Sequence, residues 1–387
     1  MIDHIRVVFS RSVFSLLLNF LSGLILARLL IPSDRGDLAI LIALSIIISA
    51  ISNLSSNEII VKSKGNPTLL DLLSGIVISI LIGLFVLFFL HITSYKELIQ
   101  GYYWYFLIFI PLNFTTLISI ALLQRDRKFS GLMLVRNIYP LLNSILIISF
   151  ATIENLTILG VLISYLISNF IVAIYSVYIV RDMVKLEWKL YCTRRVISNI
   201  HIFHPITCLT ILSSQLDKLV GSSILSSAEF GNYVVAITIP LAVTTVIIST
   251  AQTILLPIIN KDNIKDIVCW QLYFFIWVGL PCFLVLLYLT DWLVPHIFGD
   301  KYSQASFMVY VGGLSLFFQV FRKVNVKSIK QLGMEGKFIL VEITIILMNV
   351  FLLSYSSSLN SRLLFFCFLD NYEFIYWFFI HSANYRS

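Results

Sequence analysis

The sequence is poor in charge. Of its 387 residues, 12% are charged and 59% are hydrophobic, whereas a typical soluble domain has about 25% charged residues. A water-soluble protein of this length needs more charged residues than this to cover its surface. The surplus of apolar residues must therefore face lipid. The composition excludes an ordinary soluble protein and predicts a membrane protein.

Several chemical signatures are also missing. The five cysteines are scattered, and no pair has the spacing of a metal or redox motif. His201 and His204 have no third metal ligand within reach, and the sequence contains no phosphate-binding glycine loop and no paired acidic or Ser/His constellation. We therefore predict no metal, no cofactor and no direct use of ATP, and we expect that the protein is not an enzyme.

Apolar segments of near-bilayer length recur along the chain between short polar breaks. They lack the alternation of polar and apolar residues that is typical of a transmembrane β-barrel. We therefore predict an all-α polytopic membrane protein with about twelve transmembrane helices. The predicted spans are 12–31, 38–56, 69–92, 101–123, 132–151, 157–180, 202–225, 230–256, 267–294, 305–321, 338–355 and 362–380.

Basic residues are distributed unequally between the two sides of these spans. One side carries 20 of the 27 Lys and Arg residues and the other carries 4, while Arg28, Arg136 and Lys218 fall within spans. The positive-inside rule places the basic side, and with it the N-terminus, in the cytoplasm. Topology and anionic lipid headgroups account for the net charge of +7, so we predict membrane lipids and no nucleic acid as partners.

The longest polar stretch divides the spans six and six. It predicts an N-terminal six-helix lobe at 1–180, a cytoplasmic linker at 181–200 and a C-terminal six-helix lobe at 201–387. Asp370 and Glu373 interrupt the last apolar segment, and such charges are costly in lipid, so it stays open whether 362–380 spans the membrane.

The two halves resemble each other at their first turns. "LLIPSDRGDLAI" starts at Leu29, and the similar "SILSSAEFGNYVVAI" starts at Ser223. In each we expect an acidic residue and a glycine to form the turn, with the glycine supplying a backbone angle that other residues resist. Weak internal repeats of this kind are typical of transporters, whose substrate sites lie where the repeats meet. The residues concerned are Asp34, Gly36, Glu229 and Gly231.

Three stretches carry a likeness to a known family. They are "ARLLIPSDRGDLAIL" at the first turn, "SSQLDKLVGSSILSSAEFGNYVVA" at the start of the second half, and "LVPHIFGDKYSQAS" at 293–306. In these stretches the chain resembles the bacterial flippases of O-antigen and capsule repeat units. Those flippases belong to the multidrug/oligosaccharidyl-lipid/polysaccharide exporter superfamily. The likeness extends over about the first 340 residues.

The resemblance implies two pseudo-symmetric six-helix lobes around a central cavity that opens alternately to each side of the bacterial inner membrane. It implies a cargo of undecaprenyl-diphosphate-linked oligosaccharide for O-antigen or other surface polysaccharide, including lipopolysaccharide. A polysaccharide polymerase and chain-length machinery are the protein partners that it suggests.

Hydroxyl side chains and one lysine form the most distinctive polar stripe. Its members are spaced 3, 4, 4 and 4 residues apart and therefore share one face of a helix. Hydroxyls with an ammonium group suit a path for sugar and diphosphate, because lysine binds phosphate as a point charge. The alternatives for the lysine are a carboxylate partner on another helix or an outward, snorkelling position. The stripe consists of Thr207, Thr210, Ser214, Lys218 and Ser222.

Two arginines are further candidates for substrate binding. Arg28 either contacts the diphosphate in the cavity or snorkels to the outer headgroups. Arg136 lies inside the fifth predicted span, four residues before Pro140, and has the same two interpretations. A second serine stripe favours close helix packing over sugar binding; it comprises Ser45, Ser49, Ser52 and Ser56.

Other functions stay open at this point. A cation-coupled drug antiporter of the same superfamily depends on intramembrane carboxylates, which are scarce here and lie near span ends or late in the chain, as with Glu58, Asp71, Asp217 and Glu342. A membrane-embedded polymerase or ligase resembles families with a large arginine-bearing outer loop, and this sequence has no such loop.

Overall fold

The computed structural model describes residues 2–62, 66–93, 95–153, 156–187, 192–238 and 280–302, together with the single positions 277, 339, 343, 344 and 347. The predicted spans at 305–321 and 362–380, and most of those at 230–256, 267–294 and 338–355, lie outside these residues.

The described residues are almost entirely helical, and none of them lies in a β-strand. The helices are α1 (Ile2–Leu29), α2 (Pro32–Ser52), α3 (Ser56–Lys62), α4 (Leu69–Leu90), α5 (Lys96–Gly101), α6 (Tyr103–Arg125), α7 (Phe129–Ile153), α8 (Ile158–Val180), α9 (Cys192–Ile224), α10 (helical residues 227–238) and α11 (Leu280–Phe298). Short 3₁₀ helices occupy Arg181–Met183 and Asp300–Tyr302.

Five of the described helical segments are long and apolar enough to cross a membrane. They correspond to α2, α4, α6, α7 and α8, and they match the second to sixth predicted spans to within a few residues. Large apolar side chains remain exposed along them, for example Phe85 and Phe88 on α4 and Ile174 on α8. Only a lipid environment makes such exposure favourable. The chain is therefore a multi-pass membrane protein.

The polar break after α1 is shorter than the sequence indicated. Only residues 30 and 31 separate the two helices, and α2 begins at Pro32, with Asp34 in its first turn. Proline is well suited to a first helical position because its missing N–H would have no partner there. The expectation that Asp34 and Gly36 form the turn is wrong, since both lie inside α2.

Two compact units make up the fold. Unit 1 contains residues 1–36 and 220–387, and unit 2 contains residues 37–219. In unit 2, small residues let helices approach closely: a Cβ added at Gly75 would meet the ring of Phe114, and one added at Gly83 would meet Ile110. Since these glycines lie on α4 and the larger residues on α6, small-residue packing joins those helices.

Two buried serines of α2 form hydrogen bonds within their own helix. The hydroxyls of Ser45 and Ser52 donate to the carbonyls of Leu41 and Ile48, one turn earlier on α2. All four serines of this stripe, Ser45, Ser49, Ser52 and Ser56, are at most 8% exposed. The packing role that the sequence favoured for the stripe is therefore confirmed.

Candidate functional site

The stripe on α9 keeps partial access. Thr210 and Lys218 are half-buried, as are Thr207 and Ser222, whereas Ser214 is exposed. The hydroxyls of Thr210 and Ser214 donate to the carbonyls of Ile206 and Ile211, at 2.7 and 2.8 Å. A hydroxyl that donates to its own helix keeps lone pairs to accept hydrogen bonds, so this face can receive the hydroxyls of a sugar.

Lys218 pairs with a neutral side chain. Its Nζ donates to Oε1 of Gln215 at 2.7 Å, and Nε2 of Gln215 donates to Oγ of Ser214 at 3.4 Å. The sequence left open a carboxylate partner for this lysine. Among the described residues, no carboxylate forms an ion pair with Lys218. The amide orients the ammonium group without neutralising it, so the full positive charge stays available on this face.

Arg136 lies two turns into α7, about 10 Å from the start of the helix. Exposed large side chains form one stripe along α7, at Leu134, Leu141, Ile145 and Ile148. Because successive helical residues turn by about 100°, Arg136 is rotated about 200° from Leu134. It shares the inner face with Leu132, Asn143 and Ile147, which are buried, yet Arg136 is itself exposed. Arg136 therefore starts from the inner face of α7, away from the face that meets lipid, and its side chain is exposed.

This inner face carries an unneutralised cation and an open acceptor. Among the described residues, none forms an ion pair or hydrogen bond with Arg136. Asn143, seven residues later, is 4% exposed, and its Oδ1 accepts no hydrogen bond in the described part of the chain. Asn143 was not among the residues predicted from the sequence, although its seven-residue spacing from Arg136 places both on one face.

Further polar side chains are buried on the neighbouring helices of unit 2. The amide of Asn113 on α6 donates to the hydroxyl of Ser49 on α2, and Asn53 Nδ2 donates to the same oxygen at 3.2 Å. On α8, Asn169 Nδ2 donates to the Tyr165 carbonyl at 2.8 Å. Polar groups on inner faces and apolar groups outside are the pattern of a membrane protein with a polar interior.

Carboxylates are scarce in these helices. The spans α6, α7 and α8 contain no acidic residue. Asp71 on α4 is buried, and its Oδ2 accepts from both the backbone N–H and the hydroxyl of Thr68, while the Asp71 N–H donates back to that hydroxyl at 3.1 Å. This is a helix-capping box, so Asp71 has a structural role at the start of α4.

Arg28 contacts the end of another helix. Its Nε donates to the Ile297 carbonyl at 2.8 Å and its Nη2 to the His296 carbonyl at 2.6 Å. These carbonyls belong to the last turn of α11 and have no helical N–H partner. The guanidinium thus caps the negative end of the α11 dipole, an interaction that was not among the interpretations drawn from the sequence.

A second cation makes the reverse contact. Lys301 Nζ donates to the Arg28 and Leu30 carbonyls, at 2.8 and 2.7 Å, and so caps the end of α1. Gly299 has a φ of +96°, which ends α11 in a conformation suited to glycine. Tyr302 is fully buried, and its hydroxyl donates to the Leu30 carbonyl at 3.3 Å. These contacts give a physical reason for Gly299, Lys301 and Tyr302 in the stretch "LVPHIFGDKYSQAS".

The two glycines of the internal repeat pack against each other's helices. A Cβ added at Gly36 would lie 2.4 Å from the Ser227 carbonyl oxygen, and one added at Gly231 would lie 1.8 Å from that of Pro32. Each glycine therefore meets the residue four positions before the other glycine. Both lie in helices and neither has a positive φ, so the expected role as a special backbone angle is wrong. Their role is close backbone approach.

Comparisons with known proteins decide the family. The family described as polysaccharide biosynthesis protein matches residues 25–307, which is well over half of the chain. The chain belongs to this family. No curated protein matches it. The matched residues include α2 to α9 and end just beyond Tyr302.

Solved structures show the fold of this polysaccharide biosynthesis protein. An inward-closed lipid II flippase MurJ aligns with a TM-score of 0.68 at 15% identity, covering 97% of this chain and 87% of that one. An inward-facing multidrug-resistance MATE transporter of the MOP superfamily aligns at 0.63 with 11% identity, covering 96% and 94%. A MATE transporter of Vibrio cholerae aligns at 0.60 with 14% identity, covering 100% and 97%.

These findings confirm the predicted fold class and the predicted likeness to a family of polysaccharide biosynthesis. The protein has the all-α polytopic fold of the MOP transporters, and its neighbours are transporters and a flippase, not catalytic enzymes. It is therefore a member of a polysaccharide biosynthesis family that has the fold of membrane transporters. The lobe boundaries, the cytoplasmic N-terminus and the six substrate-binding residues stay predictions.

Proposed function

We propose that the protein is a flippase that moves undecaprenyl-diphosphate-linked oligosaccharide repeat units across the bacterial cytoplasmic membrane by alternating access. Membership of a polysaccharide biosynthesis family and the fold of a superfamily that includes a lipid II flippase support this proposal. Unpaired sugar hydroxyls cost several kcal/mol each in hydrocarbon. A polar path through the bilayer is therefore needed for such a cargo, which serves O-antigen or capsular polysaccharide synthesis.

The exposed, unneutralised guanidinium of Arg136 is the observation that carries the proposal. An uncompensated cation inside a membrane-spanning helix is costly, and here it lies on the inner face of α7, which also carries the buried acceptor of Asn143 two turns later. Two anionic phosphates would neutralise it through charge-assisted hydrogen bonds. The amide of Asn143 would then accept from a sugar hydroxyl or a water.

Lys218 supplies a second cation of the same kind. Its ammonium is held by Gln215, and the hydroxyls of Thr210 and Ser214 lie on the same helical face. A lysine with neighbouring hydroxyls suits a diphosphate joined to a sugar. Ser222 extends the stripe, and Arg28 completes the predicted site. The donors of Arg28 are engaged by carbonyls in this structure.

The carboxylate pattern disfavours a cation-coupled antiporter. Asp71 serves as a helix cap, and α6, α7 and α8 contain no acidic residue that could carry a proton. A cationic drug would also be repelled by Arg136 and Lys218.

Deletion of the gene tests the proposal in cells that have no second flippase. We expect undecaprenyl-linked repeat units to accumulate in the inner leaflet and surface polymer to be lost. Arg136→Gln should reproduce this defect at normal protein levels, whereas Lys128→Gln, at an exposed position between α6 and α7, should complement fully. Normal surface polymer in the deletion strain, together with lost tolerance to cationic dyes, would refute the proposal and favour the antiporter.

If repeat units are delivered to the outer leaflet, a polymerase and its chain-length machinery are the partners that would use them. Copurification of such proteins with the flippase would test this part of the proposal separately.

A further inference from the structure

Contacts between the two sequence halves concentrate at one end of unit 1. Arg28 reaches carbonyls 268 and 269 positions away, and Lys301 reaches carbonyls 273 and 271 positions away. By the distribution of basic residues, this is the end that faces away from the cytoplasm, and we call it the outer end. Long-range contacts of this kind hold the first helix of one half to the last described helix of the other.

The two cations make reciprocal contacts. Arg28 belongs to α1 and caps α11, while Lys301 follows α11 and caps α1. Each donor is a full charge, and each acceptor is a carbonyl at the partially negative end of a helix. We call these interactions the reciprocal caps. They form only while the ends of α1 and α11 lie side by side, so separation of the helix ends removes all four hydrogen bonds together.

The glycine crossing is an independent contact at the same end. Gly36 and Gly231 bring the starts of α2 and α10 into backbone contact, where not even a methyl group fits. Phe230, fully buried, lies against Gly36. Helix starts packed this closely leave no passage for a sugar between them.

The reciprocal caps stabilise the contact between the ends of α1 and α11, but they can break when these ends separate. No carboxylate among the described residues forms an ion pair with Arg28 or Lys301. Carbonyl partners attract a cation less than carboxylates do, and water or lipid phosphates can replace them when the helix ends separate. A cation bound to a carbonyl can therefore exchange this partner for water or a phosphate at modest cost. A cation in a buried ion pair could not.

We propose that the reciprocal caps and the glycine crossing form a latch that closes the outer end of the transport path. The latch opens when cargo is released to the outer leaflet. This inference rests on the proposed alternating-access function. Arg28 and Lys301 are positioning residues for the closed state, and they act on the equilibrium between states.

Cysteine accessibility tests the latch directly. In a variant with all five native cysteines replaced by serine, Ala27→Cys provides a reporter, because Ala27 is fully buried at the outer end of α1. The purified protein in lipid nanodiscs is labelled with a water-soluble maleimide. Arg28→Gln and Lys301→Gln should each raise the labelling rate about tenfold, since each removes two charge-assisted hydrogen bonds from the closed state. The double variant should label faster than either.

Two controls separate latch opening from loss of structure. Lys96→Gln removes an exposed cation from α5 and should leave the labelling unchanged. A second reporter, Ser176→Cys, is fully buried on α8 in unit 2 and should stay protected in every variant. Equal labelling of Ala27→Cys in the Arg28→Gln, Lys301→Gln and Lys96→Gln backgrounds would overturn the latch. Labelling that rises at both reporters would also overturn it, because the substitutions would then have loosened the whole fold.

The result is distinct from a failure of the proposed function. If no lipid-linked intermediate accumulates on gene deletion, the flippase assignment fails whatever the labelling shows. If the intermediate accumulates but the Ala27→Cys reporter does not respond, only the latch fails.

Discussion

Two cations of unit 1 and two of unit 2 differ in the groups that contact them. In unit 1, Arg28 and Lys301 donate to carbonyls at helix ends. In unit 2, Arg136 has no partner among the described residues, and Lys218 has only the neutral amide of Gln215. All four lie in or beside helices of a membrane protein, where an unpaired charge is costly. Arg28 and Lys301 are already used by the fold, whereas Arg136 and Lys218 remain available for a ligand.

This difference shows that charge alone does not identify a binding residue. The sequence places Arg28, Arg136 and Lys218 in one class because each interrupts an apolar span. Their hydrogen-bond partners distinguish them. Removal of Arg28, which caps a helix, should lower the stability of the fold, whereas removal of Arg136 or Lys218, which have no charged partner among the described residues, should lower transport.

The largest effect on stability is expected at the glycine crossing. Gly231→Ala places a Cβ within 1.8 Å of the Pro32 carbonyl oxygen, and backbone cannot move aside as a flexible side chain can. We expect destabilisation of about 3 kcal/mol, at the upper end of overpacking costs, measured by thermal unfolding in detergent. Gly101→Ala is the matched control, because a Cβ there meets nothing within 4 Å. Equal unfolding temperatures for both variants would remove the crossing from the account.

Arg136→Gln should reduce transport without reducing stability. The substitution removes a charge that has no protein partner, so the free energy of unfolding should stay the same or rise. Loss of the contact to phosphate should lower flux at least tenfold, about 1.4 kcal/mol. Arg136→Lys should retain part of the activity because it retains the charge. A parallel fall in stability and flux would show that Arg136 is structural.

Arg28→Gln, unlike Arg136→Gln, should reduce the stability of the fold. Capping of the α11 dipole contributes about 1 kcal/mol, and this stability should be lost on substitution. Unfolding in detergent, followed for Arg28→Gln beside Arg136→Gln, would measure the contrast within one experiment. If both variants have the same free energy of unfolding, the distinction between a helix-capping cation and a cation available for a ligand is wrong.

The smallest effect is expected at Asp126, between α6 and α7. The hydrogen bond from Arg125 Nε, at 2.7 Å, holds the pKa of this carboxyl below its usual value. A lowered pKa stabilises the fold at pH values above the unfolded-state pKa, and this stability is lost as the pH falls through the lower, folded-state value. Because the pair is partly exposed, Asp126→Asn should cost about 0.5 kcal/mol or less at neutral pH. The difference from the unsubstituted protein should shrink in unfolding experiments as the pH falls below the ordinary pKa of an aspartate.

Hydrophobic length and periodicity were sufficient for the fold class and for the spans of α2, α4, α6, α7 and α8. Helix ends were less predictable where charge enters a helix. Asp34 and Arg35 read as a polar loop, yet they lie in the first turns of α2 because Pro32 begins the helix. Likewise, α9 begins at Cys192, within the stretch predicted as a linker.

Partners distant in sequence could not be predicted. Nothing in the residues near Arg28 indicates that carbonyls nearly 270 positions away accept its hydrogen bonds. The repeat was visible around Gly36 and Gly231, but their role was misjudged, because close approach depends on the helix that each one meets. The stripe around Lys218 was predictable from spacing alone, as Asn143 would have been.

The most direct test of the central claim is a binding measurement with purified protein. Native mass spectrometry would compare undecaprenyl diphosphate with undecaprenol, which has the same chain but no phosphate. We expect preferential binding of the diphosphate, a loss of that preference in Arg136→Gln, and no change in Lys128→Gln. Equal binding of both lipids, or a preference that survives Arg136→Gln, would contradict it.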